Sequence, residues 1–314
     1  MAAAAKTTPY VRRDLKDFGH SRQLFYEMVS KMKKAILLVT DFSYEAKGRE
    51  YFREDVALSV FLRRYFKVWV SHIDDVDQML SSADAVLIRN TGPQASHREQ
   101  LAALRRRKDL RLFNNLSGKG DINGKGHLLE LFQAGYPVIP SFASKQELQR
   151  FGTYERYLIK PLYGADSVGI KILSAEELAA EPCHHVVLQP LLDFLYEVSF
   201  YFIGRDFQYA LFAPNPEKRW ELRPYLATKE DVDFALRFVN WNSSEVGIQR
   251  VDACRLSSGE LLLMELEDYN PFLSLDLVEH RVRERFLSTL CGSLANLMTQ
   301  TKESVETETD REKS

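Results

Sequence analysis

Arg250-Val251-Asp252-Ala253-Cys254, a Ser257-Ser258-Gly259 turn, and Leu261-Leu262-Leu263-Met264-Glu265-Leu266-Glu267-Asp268-Tyr269-Asn270-Pro271 form the stretch that decides the fold. Two apolar runs joined by a glycine turn read as a β-hairpin. Side chains alternate across a strand, so Glu265 and Glu267 leave on one face, and Asp252 lies on the partner strand. Three carboxylates so placed repel unless a cation sits among them, and hard oxygen donors beside a phosphate suit magnesium. The plainer reading, solvated acids at a strand end, is opposed by Leu261-Leu262-Leu263-Met264, which carries the strand inward.

Two tracts upstream bear on a phosphate. Leu158-Ile159-Lys160-Pro161-Leu162-Tyr163-Gly164-Ala165-Asp166-Ser167-Val168-Gly169-Ile170 is a strand ending on a lysine, then a glycine-bounded turn, then a second strand. Small residues such as Gly164, Ser167 and Gly169 let backbone N–H groups approach phosphate oxygens, with Lys160 as a point charge. A surface hairpin with an exposed lysine is the alternative. Gly118-Lys119-Gly120-Asp121-Ile122-Asn123-Gly124-Lys125-Gly126 fails as a Walker loop, because its glycine spacing is wrong and glycine, not Ser or Thr, follows Lys125. Taken alone it reads as a linker.

At 314 residues the chain has room for two domains of about 150 residues each. Lys and Arg number 42 against 44 Asp and Glu, so no global field draws the chain to nucleic acid or lipid. Three scattered cysteines, Cys183, Cys254 and Cys291, encode neither a disulfide framework nor a zinc cluster, and suit a cytoplasmic protein. No stretch approaches the roughly 18 apolar residues of a spanning helix, and MAAAAKTTPYVRR lacks a signal-peptide core. Residues 1–113 alternate strand and helix: a strand at 35–40, a helix at 51–65 with Phe52, Val56, Ala57, Val60 and Phe61 at helical spacing, and strands at 67–73 and 83–88. A short helix at 74–82 and another at 101–107 complete a parallel α/β layer. After a boundary at residue 114 comes an α+β region: a helix at 125–134 stopped by Gly135, strands from 157 to 267, and a closing helix at 282–298. Residues 301–314 are charged, with no apolar period, and read as a disordered tail.

In this order the three tracts resemble the ATP-grasp carboxylate-amine ligases, which include glutathione synthetase, D-alanine-D-alanine ligase and ribosomal-protein glutamate ligases. The likeness spans roughly residues 114–297 and implies an ATP-grasp domain over 114–300, with the preceding α/β domain in the pre-ATP-grasp position. It implies ATP and Mg2+ as cofactors, with Lys125 and Lys160 on phosphates and a hinge at 186–192. There the backbone of Gln189, Leu191 and Leu192 would read the adenine edge, and Glu197 would bind ribose. The family's metal pattern pairs an Asp with a later Glu-x-Asn. Asp252 and Glu265 keep the separation, but Glu267 stands in place of Asn, leaving Glu267 or Asn270 to complete the shell. Arg250, with Arg223 as a second cation, falls where related ligases bind a substrate carboxylate or the transferred phosphate.

The activity expected is ligation of a small-molecule or peptide carboxylate to an amine through an acyl phosphate, with ADP and phosphate released. A regulatory ATP-binding protein, motivated by Glu267, and a small-molecule kinase are the alternatives. Neither nucleic acid nor membrane is an expected partner, and a homodimer, common among these ligases, is left open. Phe200, Tyr201, Phe202, Phe207 and Tyr209 read as sheet core, Cys254 as a buried residue, and the Arg89-Asn90-Thr91-Gly92-Pro93 loop as one at a ligand-presenting sheet edge.

Overall fold

The structure, a computed structural model, describes residues 10, 34–43, 45–46, 49–91, 94–164, 169–242, 244 and 246–299. Ser167, Gly92, Pro93 and the 301–314 segment lie outside them. β1 (Ala35–Val39) is buried along its whole length. Its unbroken apolar run fits a strand paired on both edges and covered on both faces. α1 (Phe52–Leu62), β2 (Lys67–Ser71), β3 (Ala85–Ile88), α2 (Arg98–Arg106) and β4 (Leu112–Phe113) follow. The strands form a parallel sheet in the order β2-β1-β3-β4.

Two details of this layer differ from expectation. The buried face of α1 is Leu58, Phe61 and Leu62, while Val56 and Val60 are more than half exposed. The helix is turned because Asp55 is drawn inward, where Thr40 Oγ1 donates to its carboxylate at 2.7 Å. Residues 74–82 do not make one helix: a four-residue helix, Val76–Met79, sits between two 3-10 turns.

α3 (Gly126–Gln133) ends at Gly135, whose φ of +77° suits glycine. The Gly135 and Tyr136 N–H groups donate to Phe132 O and Leu131 O, both at 3.0 Å, the pair of bonds that closes a Schellman end. Two prolines then keep the chain extended. Leu263 N–H donates to Pro137 O and Ile139 N–H to Leu263 O, and three residues later Phe142 exchanges two bonds with Leu188. This segment therefore edges two sheets in turn. The smaller sheet follows α4 (Lys145–Phe151) and comprises β5 (Arg156–Pro161), β6 (Lys171–Ser174) and, after α5 (Ala175–Ala180), β7 (Val186–Pro190). Its antiparallel order is β6-β5-β7.

The larger sheet is antiparallel, in the order β10-β9-β8-β11-β12. Its strands are β8 (Tyr196–Ile203), β9 (Asp206–Ala213), β10 (Arg223–Tyr225), β11 (Ile248–Arg255) and β12 (Leu261–Glu267). α6 (Lys229–Asn242) intervenes before β11 and buries Phe234, Ala235, Phe238 and Val239 against Val198, Phe200 and Val251. The opposite face gives Tyr201, Ile203 and Leu211 to a second core, shared with Ile36 and Leu38 of β1 and with Leu290 and Leu294 of α7 (His280–Thr299). That shared core joins the two halves. No described helix is long and apolar enough to cross a membrane.

The glycine tract before α3 is neither a phosphate loop nor a slack linker. Asp268, just past β12, accepts from Gly120 N at 2.8 Å and Ile122 N at 3.1 Å, and Asp121 accepts in return from Asp268 N at 2.7 Å. Burial, then the neighbouring Asp268 charge, hold the Asp121 carboxyl well above its usual range. The approach is so close that a Cβ on Gly120 would lie 2.5 Å from Leu266 O, whereas one on Gly126 would meet nothing nearer than 3.9 Å. Gly120→Ala should therefore cost about 1–3 kcal/mol of stability, and Gly126→Ala no more than about 0.5 kcal/mol. Urea denaturation of the two variants checks this; equal midpoints would contradict it.

Candidate active site

Alternation across three adjacent strands builds the site. Glu197, Ser199 and Tyr201 of β8 pair with Cys254, Asp252 and Arg250 of β11, and Asp252 and Arg250 pair with Glu265 and Glu267 of β12. A register shift between Asp252 and Ala253 passes over Met264, which lets both acids of β12 meet Asp252 on one face. Glu197, Ser199, Tyr201, Arg250, Asp252, Glu265 and Glu267, with Tyr51, Arg219, Trp220, Phe272 and Ser274, line a cleft of about 190 Å³.

Carboxylate oxygens of Asp252, Glu265 and Glu267 lie within 4.8 Å of one another. Arg250 spans two of the acids: Nε donates to Asp252 Oδ1 and Nη2 to Asp252 Oδ2, both at 2.9 Å, and Nη2 also pairs with Glu267. Its Nη1 donates to Phe272 O at 3.2 Å, so the guanidinium is held in one plane. Lys125 pairs with Glu265. Burial alone would raise Glu265, but the Lys125 and Lys160 charges outweigh it and hold its carboxyl at about 2. Glu267 goes the other way, up to about 8, through burial and the charges of Asp252 and Glu265, with Arg250 opposing. Three acids whose carboxylate oxygens cluster on one face are a donor set that fits a hard divalent ion.

Lys125 and Lys160 both stand close enough to Glu265 for their charges to act on it. Lys160, the buried penultimate residue of β5, is lowered to about 8, chiefly by burial and with Glu265 opposing. Lys125 N–H donates to Leu162 O at 2.7 Å, tying the first lysine's backbone to the turn that follows the second. In that turn Gly164 N–H donates to Pro161 O at 3.2 Å, and Gly169 has φ +76° with Pro161 against the position a Cβ would take. His127 fastens α3 to β12. Its Nδ1 faces Gly124 O at 3.0 Å and its Nε2 faces Leu266 N–H at 3.3 Å, and burial keeps its pKa low, so the neutral ring donates to the carbonyl and accepts from the amide.

Other expected residues fare differently. Gln189 is fully buried and donates to Ser141 Oγ at 2.8 Å. Leu191 N–H donates to Arg156 O at 2.9 Å because β7's ladder with β5 runs one residue past Pro190; that amide cannot also read a base. Leu192 is half-buried beside Cys254 and Met264. Glu197 lines the cleft, its carboxyl raised by burial against the opposing Arg219 charge 2.5 Å away. Arg223 is exposed on the edge strand β10 and does not line the cleft; Arg219, four residues earlier, does. Asn270 lies beyond the end of β12, half-buried and outside the lining, while Glu267 completes the acidic cluster. Arg219, Trp220, Tyr51 and Phe272 were not legible as site residues, since each arrives from a turn or a helix end with no period to place it.

No protein-family model matches the chain, and no curated protein matches it in sequence. Solved structures do match. The D-cycloserine synthetase DcsG is 20% identical with a TM-score of 0.65, over 84% of this chain and 99% of that one. The ATP-grasp ligase PsnB complexed with a minimal precursor is 17% identical with a TM-score of 0.59, over 84% and 99%. D-alanine–D-alanine ligase from Bacillus anthracis, complexed with ATP, is 13% identical with a TM-score of 0.61, over 84% and 97%. The chain has the ATP-grasp fold, with its parallel α/β layer ahead of the antiparallel sheets.

Removing Arg250 leaves Asp252 and Glu267 crowded and unpaired. Arg250→Met should lower the stability of the ligand-free protein by about 3 kcal/mol or more, measured by urea denaturation at neutral pH. An unchanged midpoint would mean the guanidinium does not neutralise the cluster.

Proposed function

We propose that the protein is an ATP-dependent ligase that joins a carboxylate to an amine, a small molecule or a peptide supplying each. Phosphorylation converts the carboxylate into an acyl phosphate, the amine displaces phosphate, and ADP is the other product. The observation that carries this reading is the fixed guanidinium of Arg250, bound to Asp252 and Glu267 in a cleft whose third acid, Glu265, feels the charges of the buried Lys125 and Lys160. A planar permanent cation there suits a carboxylate or a transferring phosphoryl group. Cys254 is fully buried, its thiol raised to about 11 by burial and then by Glu197, so it does not suit a nucleophile.

Asp252, Glu265 and Glu267 would hold Mg2+, which when bound supplies charge neutralisation to the phosphates. Lys125 and Lys160 bind phosphate oxygens, with backbone donors from the glycine-bounded segment at Gly164 and Gly169; Ser167, expected as a third, lies outside the described residues. The 186–192 strand end, through Leu192 and a backbone group other than the Leu191 amide, takes the adenine, and Glu197 takes the ribose once Arg219 releases it. Arg219 replaces Arg223 as the second cation. Residues 1–113 and 114–300 are read as the two domains of such an enzyme. The three free cysteines are consistent with a reducing cytoplasm. Glu267 keeps an oxygen donor in the cluster, which removes the motive for a purely regulatory ATP-binding protein.

Supplying ATP, hydroxylamine and a panel of amino-acid and peptide carboxylates tests the reaction. A hydroxamate should form together with ADP, and Lys160→Ala should slow it by about 10²-fold or more while the thermal transition persists. AMP and pyrophosphate as products would indicate an adenylate instead, and a stable phosphoester would indicate a kinase.

A further inference from the structure

The two segments that carry Lys125 and Lys160 meet at a side chain that does not line the cleft. Leu162 is fixed on both sides: its N–H donates to His185 O at 2.8 Å, and its carbonyl accepts from Lys125 N–H at 2.7 Å. The next residue, Tyr163, lays its ring against the glycine tract. A Cβ on Gly124 would lie 2.5 Å from Leu162 O and 2.8 Å from Tyr163 Cδ1, so carbonyl and ring together fill the space beside that glycine. Lys125 directly follows Gly124, and Lys160 stands three residues before Tyr163. The ring therefore bears on both lysine-carrying segments at once.

Tyr163 is also held by the parallel α/β layer. The guanidinium of Arg98 stands over its ring, 4.2 Å from the centroid. Arg98 opens α2, where the positive end of the helix dipole disfavours a cation. Among the described residues it makes no ion pair, and the Tyr163 hydroxyl makes no hydrogen bond, so the ring face carries the contact. Both side chains are exposed, Tyr163 by 44%, and neither belongs to a core. Their contact joins the first half of the chain to the turn after Lys160.

We propose that Tyr163, clamped by Arg98, is a positioning residue that sets Lys125 and Lys160 at the separation nucleotide phosphates require. Resting on the ligase reading, which gives both lysines to phosphate, the α/β layer then shapes the phosphate site without touching the nucleotide. Loss of the ring loosens the Lys125–Leu162 backbone bond and leaves the adenosine end of the site alone.

Calorimetric titration of the full chain with a non-hydrolysable ATP analogue and with adenosine, both with Mg2+ present, tests this beside hydrogen exchange at the Lys125 amide of the ligand-free protein. Tyr163→Ala should weaken the analogue about tenfold, as the loss of one charge-assisted contact does. Adenosine affinity and the urea midpoint should stay unchanged, and the Lys125 amide should exchange faster. Tyr163→Phe, which keeps the ring, should restore analogue affinity and exchange rate alike. Arg98→Met should weaken the analogue about two- to fivefold, the worth of an exposed cation–π contact, with no further effect once Tyr163 is alanine. Equal losses for analogue and adenosine, a phenylalanine variant no better than alanine, or an Arg98→Met effect that persists without the ring overturns the proposal. A wild-type chain that binds no nucleotide contradicts the ligase reading instead, and the Lys125 exchange rate then decides the positioning claim: faster in Tyr163→Ala and restored in Tyr163→Phe upholds it, an unchanged rate overturns it.

Discussion

Repulsion among Asp252, Glu265 and Glu267 governs how the rest of the molecule is arranged. At 4.8 Å and an effective dielectric near 20, each like-charged pair costs about 3 kcal/mol, so the three strands cannot close on these acids without cations beside them. Arg250 comes from the central strand itself and Lys125 from the residue before α3, which is why the glycine tract must approach β12 so closely. Lys160 arrives from another sheet, buried at the end of β5, and its lowered pKa records the desolvation it accepts to stand near Glu265.

The segment after β12 connects this cluster to the first half of the chain. Asn114 Nδ2 donates to Tyr269 O at 2.7 Å, Arg89 Nη1 donates to Pro271 O at 3.0 Å, and Glu54 accepts from Leu273 N. Thr91 and Tyr269 share a buried hydroxyl contact. Arg250 in turn donates to Phe272 O within the same segment. The parallel α/β layer thus holds one wall of the cleft in place, since Arg89 and Arg250 donate to the adjacent carbonyls of Pro271 and Phe272. Breaking a buried pair of this kind typically removes several kcal/mol, because it leaves the other charge uncompensated.

Much of this was legible because period-2 alternation and burial leave a clear mark in the sequence. Leu261-Leu262-Leu263-Met264 located the interior strand, and the spacing of Glu265 and Glu267 located the acidic face. Gly135 marked a helix end that has the expected left-handed backbone. The Lys229–Asn242 helix was equally legible, through Phe234, Ala235, Phe238 and Val239, and was passed over. α1 was placed with the wrong face inward, since the pattern of Val56 and Val60 could not register that Asp55 would be pulled in by Thr40, Asn90 and Arg89. Arg219 and Phe272 depend on where a turn and a loop come to rest. That Arg219 and not Arg223 lines the cleft is decided by tertiary structure and has no local signature. The glycines at 118 and 120 read as slack because nothing local says that Asp268, far along the chain, packs against them.

As proposed, the three-carboxylate face of Asp252, Glu265 and Glu267 is a metal site completed by nucleotide phosphates. Electron paramagnetic resonance of Mn2+ added to the protein with and without a non-hydrolysable ATP analogue measures this most directly. One Mn2+ should bind tightly only when the analogue is present, and that site should be lost in a Glu265→Gln, Glu267→Gln double variant that still unfolds cooperatively. Mn2+ bound equally well by the double variant, or no change on adding the analogue, would contradict it.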